Sequence, residues 1–326
     1  MPTILVTGAN GLLATHIIIE LLDNGYHVKG LLRDRRKFQY PAHPNLELIE
    51  SDITDFPSVR NALAGCESVI HVAALTAQNF LRYDAYEKVN VQASEELVKL
   101  AIEAKIKRFV YVSSANAFGY GSKENPGNET TSMKAPFTSS FYARSKQEAQ
   151  MRVLAYRDQM EVVVVNPTFM LGAYDGKPSS GQIIFMSYHK PVIFYPPGGK
   201  NFVHVADVAK GTVLALENGI AGEAYLMANE NLSYREFFRQ LAVVTEHKPV
   251  LIPIPKFILI AAGYLGDLLR FVNYPVSFSS VNMRSLCVHN YYSNEKASKQ
   301  LGMTFRPVKQ AIKEAVQWFR SKDMLS

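Results

Sequence analysis

The segment Tyr142-Ala143-Arg144-Ser145-Lys146 sets a phenol and an ammonium four residues apart, an interval that on a helix puts both on one face. A free tyrosine, with a pKa of about 10, is a poor base at neutral pH, and a nearby ammonium stabilises the phenolate and lowers that value. Such a pair can exchange a proton with a substrate oxygen. The interval alone is weak evidence, because Tyr292 and Lys296 repeat it in the same chain. Context separates the two: Tyr111-Val112-Ser113-Ser114 is a strand-like run ending in serines, and nothing comparable precedes Tyr292.

A second cluster with chemical meaning is Thr7-Gly8-Ala9-Asn10-Gly11-Leu12-Leu13-Ala14, which follows an apolar β-branched run and opens a helical one. Gly8 and Gly11 let the backbone turn tightly and approach a pyrophosphate, whose charge suits the amides of a helix N-terminus. Ala14 is small enough for close packing of helix on strand. Gly8, Asn10, Gly11 and Leu12 are therefore candidate contacts to a dinucleotide. After the next strand-like run comes Gly30-Leu31-Leu32-Arg33-Asp34. An acid there accepts hydrogen bonds from a ribose 2′-hydroxyl, whereas an arginine suits a 2′-phosphate. Arg33, reinforced by Arg35 and Arg36, favours NADP, and Asp34 leaves NAD possible.

These residues need elements to hold them. Thr3 to Thr7, Tyr26 to Leu32, Leu46 to Glu50, Ser68 to Val72, Arg108 to Ser113 and Glu161 to Val165 read as strands. Leu12 to Leu22, Val59 to Ala64, Tyr83 to Ala104 and Phe141 to Gln159 read as helices between them. Such alternation implies right-handed crossovers and an α/β, doubly wound parallel sheet of Rossmann type, with ligands beyond the carboxyl ends of its strands. After Pro167 the alternation breaks down into Gly-, Pro- and Ser-rich sequence and Pro-separated helices. The expected division is a dinucleotide-binding domain over 1–172 and about 201–225. A smaller, interleaved substrate lobe takes about 173–200 and 226–326.

With the N-terminal T-G-x-x-G-x-x-A turn, the strand-end serine and the Y-x-x-x-K helix in order, the chain resembles the extended short-chain dehydrogenase/reductase family over roughly residues 1–230. The resemblance implies hydride transfer between a nicotinamide and a substrate alcohol or carbonyl. Tyr142 would exchange the oxygen-bound proton, Lys146 would hold the nicotinamide ribose, and Ser114 would orient the reacting oxygen. It also implies that Asp52 and Ile53 meet the adenine, that Ala73 and Ala74 in His71-Val72-Ala73-Ala74 line the cofactor, and that Asn166-Pro167-Thr168 packs near the nicotinamide. Asn90 matches an asparagine that helps hold the lysine. His71 reads as a packed strand-end residue.

Composition narrows the field. Among 326 residues, 48% are hydrophobic and 20% charged, a globular balance. Cys66 and Cys287 form no CxxC pair, and no histidines have HExxH spacing, so neither a disulfide framework nor a metal site is expected. No secretory signal pattern opens the chain, and a cytoplasmic protein is expected. The net charge of +6 comes from dispersed Lys and Arg, which suits phosphorylated small molecules better than nucleic acid. Leu251 to Val272 is apolar but interrupted by Lys256, Asp267, Arg270, prolines and glycines, so a buried helix of the substrate lobe is expected rather than membrane insertion, with peripheral membrane contact left open.

Related sites reduce ketones, oxidise sterols, epimerise nucleotide sugars or dehydrate them. Dehydratases of the family carry an Asp-Glu pair after the catalytic threonine; here Ala115-Asn116 follows Ser114. The stretch Asn166 to Asp175 resembles the dihydroflavonol-reductase and 3β-hydroxysteroid-dehydrogenase-like branch, and Phe185, Met186, Tyr188, Phe194 and Tyr195 are candidates to line an apolar pocket. The leading expectation is an NAD(P)-dependent oxidoreductase acting on a ketone or secondary alcohol of a small apolar substrate. The alternatives are a nucleotide-sugar epimerase with tightly bound NAD and a non-enzymatic redox-sensing module. A homodimer is possible on family grounds alone.

Overall fold

Short β-branched runs that alternate with amphipathic helices build the central layer in the computed structural model, which describes residues 2–77, 80, 82–272, 274, 276 and 278–325. The strands are β1 (Thr3–Thr7), β2 (His27–Leu32), β3 (Leu46–Glu50), β4 (Ser68–His71), β5 (Arg108–Val112), β6 (Glu161–Pro167), β7 (Phe169–Leu171), β8 (Val192–Tyr195), β9 (Gly199–His204), β10 (Ala224–Met227), β11 (Glu230–Ser233), β12 (Val250–Pro253) and β13 (His289–Asn290). The helices are α1 (Leu12–Asp23), α2 (Phe56–Leu63), α3 (Asp84–Tyr86), α4 (Ala93–Glu103), α5 (Phe141–Leu154), α6 (Gln182–Phe185), α7 (Val205–Asn218), α8 (Tyr234–Val244), α9 (Lys256–Phe271), α10 (Ser280–Ser285), α11 (Glu295–Leu301) and α12 (Val308–Ser321). A π-helical stretch, Glu87–Gln92, joins α3 to α4.

Seven strands pair in the order β10-β6-β5-β4-β1-β2-β3, every pairing parallel. Successive side chains alternate between the two faces. Ile4 and Val6 of β1 join a core with α1 and α7, while Leu5 joins the opposite core with α2 and α4. Strand order reverses between β1 and β4, the switch point at which a crevice opens beyond the strand ends. Gly8 and His71 close those two strands and so reach that crevice.

Of the segment at about 201–225 expected to belong to this domain, the return to the sheet is made by β10 at its end, not by β9, which contains Asn201. That strand, β9, pairs with β7, β11 and β13 in a second sheet, and β8 pairs with β12 in a third. A separate apolar core around Phe202, Phe237, Ile312 and Phe319 holds this part together. The sequence reading missed the distinction because β9 and β10 are both short apolar runs beside α7.

Candidate active site

The glycine turn is shaped by close approach. Gly8 has φ +70°, and a Cβ there would lie 2.9 Å from Ala73 Cα, so both backbone and space require glycine. Gly11 precedes α1 with no side-chain cap, and the first turn of α1 contains no acid, so its amide donors and positive dipole end remain available to an anion. This cradle fits a pyrophosphate, with Asn10 and Leu12 on either side of Gly11. Gly8→Ala is expected to weaken NADPH binding roughly tenfold or more, since left-handed backbone alone costs a non-glycine residue about 1–2 kcal/mol and the contact with Ala73 adds to it. Fluorescence titration of the cofactor would measure this, and an unchanged dissociation constant would remove the turn from the site.

At the end of β2, Asp34 is spent on its own turn: it caps Arg35–Lys37 and bonds Arg36 at 2.9 Å and Lys37 at 3.3 Å. Those bonds, Arg36 foremost, hold its carboxyl well below the usual carboxylate range. Arg33 is exposed and makes no salt bridge among the described residues. Asp52 accepts from the Thr54 amide at 2.9 Å and hydroxyl at 2.7 Å. Partial burial raises its pKa, but those bonds and the charge of Arg33 outweigh that and leave it lowered. Ile53 is buried behind Asp52, and Ala73 and Ala74 are half-buried beside Gly8.

Across the switch point, β5 ends at Val112 and Ser114 caps the short turn Ala115–Ala117, its Oγ accepting from the Asn116 amide at 3.2 Å. Ser140 caps α5 by accepting from the Ala143 amide at 3.3 Å, which starts the helix just before Tyr142. Ser114 lies beside the Tyr142 hydroxyl, close enough to oppose the effect of its burial, and Lys146 lies one turn deeper, 2% exposed. Its Nζ donates to the Val112 carbonyl at 2.7 Å and sits 4.6 Å above the Tyr111 ring. Asn166 Nδ2, from the end of β6, donates to the Ser114 carbonyl at 2.9 Å and to Gln150 of α5 at 2.8 Å; Pro167 is buried beside it. Ser114, Tyr142 and Lys146 thus meet at one strand-end edge. The second pair does not: Tyr292 is buried in another cluster, and Lys296 bonds Glu223 at 2.6 Å.

The electrostatics correct one expectation. Burial pushes the Tyr142 phenol above its ordinary value, and Ser114 rather than Lys146 supplies the opposing pull. Burial also pushes Lys146 down to about 7. The reason is geometric, because the ammonium is committed to the Val112 carbonyl.

A network that sequence reasoning did not assemble ties both halves of the site together. Thr7 Oγ1 accepts from the Val72 and Ala73 amides, each at 3.1 Å, so its own proton goes to His71 Nδ1 at 2.7 Å. His71 Nε2 then donates to Ser94 Oγ at 2.9 Å, and Ser94 donates to the Asn90 carbonyl at 2.6 Å. Burial, with the charge of Lys146 adding to it, drives His71 down to about 3, which keeps the ring neutral in this chain of donors. Asn90, in the π-helical stretch, brackets the Leu75 amide and carbonyl and donates to Ser145 Oγ at 2.9 Å, between Tyr142 and Lys146 on α5. Thr7 lay in the glycine motif, but its role depends on β1 and β4 being neighbours.

Beside Tyr142 opens a cavity of about 400 Å³ bounded by Phe80, Tyr86, Phe141, Arg270, Phe271 and Val281. The aromatic residues expected to line the pocket sit elsewhere. Phe185 packs on Phe319 at 4.7 Å, Tyr188 lies against His189 with the rings tilted, Tyr195 borders the core of the second sheet, and Met186 and Phe194 face solvent. The substrate lobe contributes α9 and α10 to the wall instead, facing Tyr86 of α3 and Phe141 of α5.

Residues 4–228 match the NAD dependent epimerase/dehydratase family. Among its relatives, a putative dihydroflavonol 4-reductase of Synechocystis is 27% identical, covering 97% of this chain and 94% of its own. Sterol demethylase protein B of Methylococcus capsulatus is 29% identical, covering 99% of this chain and 100% of its own. The crystal structure of gox2253 superposes with a TM-score of 0.85 at 30% identity, covering 100% of both chains. With a parallel sheet reversing at β1 and β4 and a family match over most of its length, the chain belongs to the NAD-dependent epimerase/dehydratase family and is an NAD(P)-dependent extended short-chain dehydrogenase/reductase.

Proposed function

We propose that this enzyme transfers a hydride between NADP and a ketone or secondary alcohol of a small apolar substrate, with Ser114, Tyr142 and Lys146 as the catalytic centre. The observation that carries this reading is the position of Tyr142, beside Ser114 at the edge of a cavity to which Phe80, Tyr86, Phe141 and Phe271 contribute aromatic surface. The named activities of the dihydroflavonol-reductase and sterol-demethylase relatives agree with an apolar substrate.

When bound, the nicotinamide supplies or accepts the hydride. Gly8, Asn10, Gly11 and Leu12 would hold the pyrophosphate, Asp52 and Ile53 the adenine, and Ala73, Ala74 and Pro167 the space beside the ribose and nicotinamide. Ser114 would orient the substrate oxygen and donate to it as negative charge develops. Tyr142 would deliver its phenolic proton to that oxygen; a phenol held protonated by burial suits the acid role, and hence reduction. Lys146 would contact the ribose and restore the proton balance at Tyr142.

NADP preference rests on Arg33, since Asp34 is occupied by Arg36 and Lys37. Arg33→Ser is expected to weaken NADPH binding about tenfold while changing NADH binding little, as loss of one charge-assisted pair with a phosphate implies. Parallel titrations of the two cofactors would test this, and equal losses for both would make Arg33 a general contact instead.

A second reading, a nucleotide-sugar epimerase with tightly bound NAD, is favoured by Lys200. Burial pushes this lysine down to about 8, and it stands 4.9 Å over the Phe169 ring with no acidic partner among the described residues, a cation suited to a diphosphate. An epimerase would retain NAD through purification and interconvert sugars without net cofactor consumption.

A further inference from the structure

Helix α9 is packed the wrong way round for water. Its buried positions are Leu259, Gly263 and Gly266, and a Cβ at Gly263 would lie 2.7 Å from Ser280 Cα, so the glycines let α10 and its approach segment close in. The large apolar side chains point outward: Phe257, Ile258, Tyr264, Leu265, Leu268 and Phe271 are all exposed, Phe257 by 71% and Phe271 by 85%. The expectation of a buried helix is therefore overturned; its small face is the one inside. A stripe of this kind on a surface marks an interface.

Charge indicates what covers it. Lys and Arg are dispersed along the chain but their excess over acids is not: residues 226–326 hold thirteen Lys and Arg against seven Asp and Glu, so this part carries the entire net charge of +6 and the remainder is neutral. Lys256 opens α9, and the Arg284 guanidinium lies 5.4 Å over the exposed Tyr264 ring. Arg235, Arg239 and Lys248 line a cleft at the start of β12, the strand that leads into α9. Cations bordering exposed aromatic and aliphatic residues match the headgroup and acyl layers of an anionic bilayer, whereas a second copy would oppose one positive surface to another. Among the described residues no helix is long and apolar enough to cross a membrane, so the contact is with its surface.

We propose that α9 and its basic surroundings seat the enzyme on an anionic lipid surface. Phe271 belongs both to the exposed stripe and to the wall of the cavity beside Tyr142, so the cavity opens at the seated face. Binding is independent of turnover, which keeps a failure here distinct from a failure of the proposed chemistry.

The purified full chain would be floated with phosphatidylcholine vesicles and with vesicles containing about a quarter phosphatidylglycerol. Expected is flotation with the anionic vesicles, weakened by high salt, and little with phosphatidylcholine alone. The double variant Leu265→Asn/Leu268→Asn changes two exposed side chains outside the cavity. It is expected to lower vesicle affinity at least tenfold while leaving NADPH affinity unchanged, which also reports that it folds. No flotation, or equal flotation of the variant, would overturn the proposal. So would a concentration-dependent dimer in sedimentation velocity that the double variant abolishes, since a second copy would then cover the stripe.

Discussion

Tyr142→Phe is expected to lower turnover by a factor of about 10² to 10⁴, the range in which a positioned acid contributes to proton transfer. The variant removes one oxygen and keeps the ring that borders the cavity, so NADPH affinity should change less than about twofold and thermal stability little. Because burial holds the phenol above its ordinary value, wild-type reduction should keep its acid through the neutral range, without a loss assignable to Tyr142 below pH 10. Steady-state rates at saturating cofactor, paired with a binding titration, separate the chemical step from binding. Retention of more than about a tenth of wild-type turnover would remove Tyr142 from the proton path.

Lys146→Met is expected to abolish most turnover and at the same time to stabilise the fold at low pH. Burial lowers Lys146 from 10.5 to about 7, so the folded protein releases a proton that the unfolded chain keeps. Stability of the wild type therefore rises with pH between about 7 and 10.5, and the cost of the buried ammonium is fully present below 7. That shift corresponds to as much as about 5 kcal/mol, reduced by about 1–3 kcal/mol when methionine leaves the Val112 carbonyl without its donor. The variant should then be more stable than wild type by a few kcal/mol at pH 6, with the advantage shrinking toward pH 10. Urea unfolding at the two pH values measures it. A variant less stable at pH 6 would mean that the bond to Val112 outweighs the burial of charge.

The central sheet was legible because its information is local. Ile4 and Val6 against Leu5 show the two-faced alternation of a covered strand, and Gly8 and Gly11 mark the turn that follows. The candidate trio was legible because order along the chain, strand-end serine and then helix, places Ser114 near Tyr142 once β5 lies inside a parallel sheet. Three things were not. The ionisation of Tyr142 depends on where the Lys146 ammonium points, and a four-residue interval leaves that direction open. The cavity wall depends on α9 docking by Gly263 and Gly266, which apolar composition cannot distinguish from docking by its leucines and phenylalanines. The strand at Asn201 joins a second sheet because β7 and β11 flank it, a pairing between distant segments.

Hydride transfer at this site is tested most directly by following absorbance at the nicotinamide band while a panel of apolar ketones is added to the wild-type enzyme with NADPH. The proposed chemistry predicts consumption of NADPH in step with alcohol formation on at least one apolar ketone, at a rate lost in Tyr142→Phe. Interconversion of a nucleotide sugar on retained NAD, with no net change in nicotinamide absorbance and no consumption on any ketone, would contradict it and make the enzyme an epimerase.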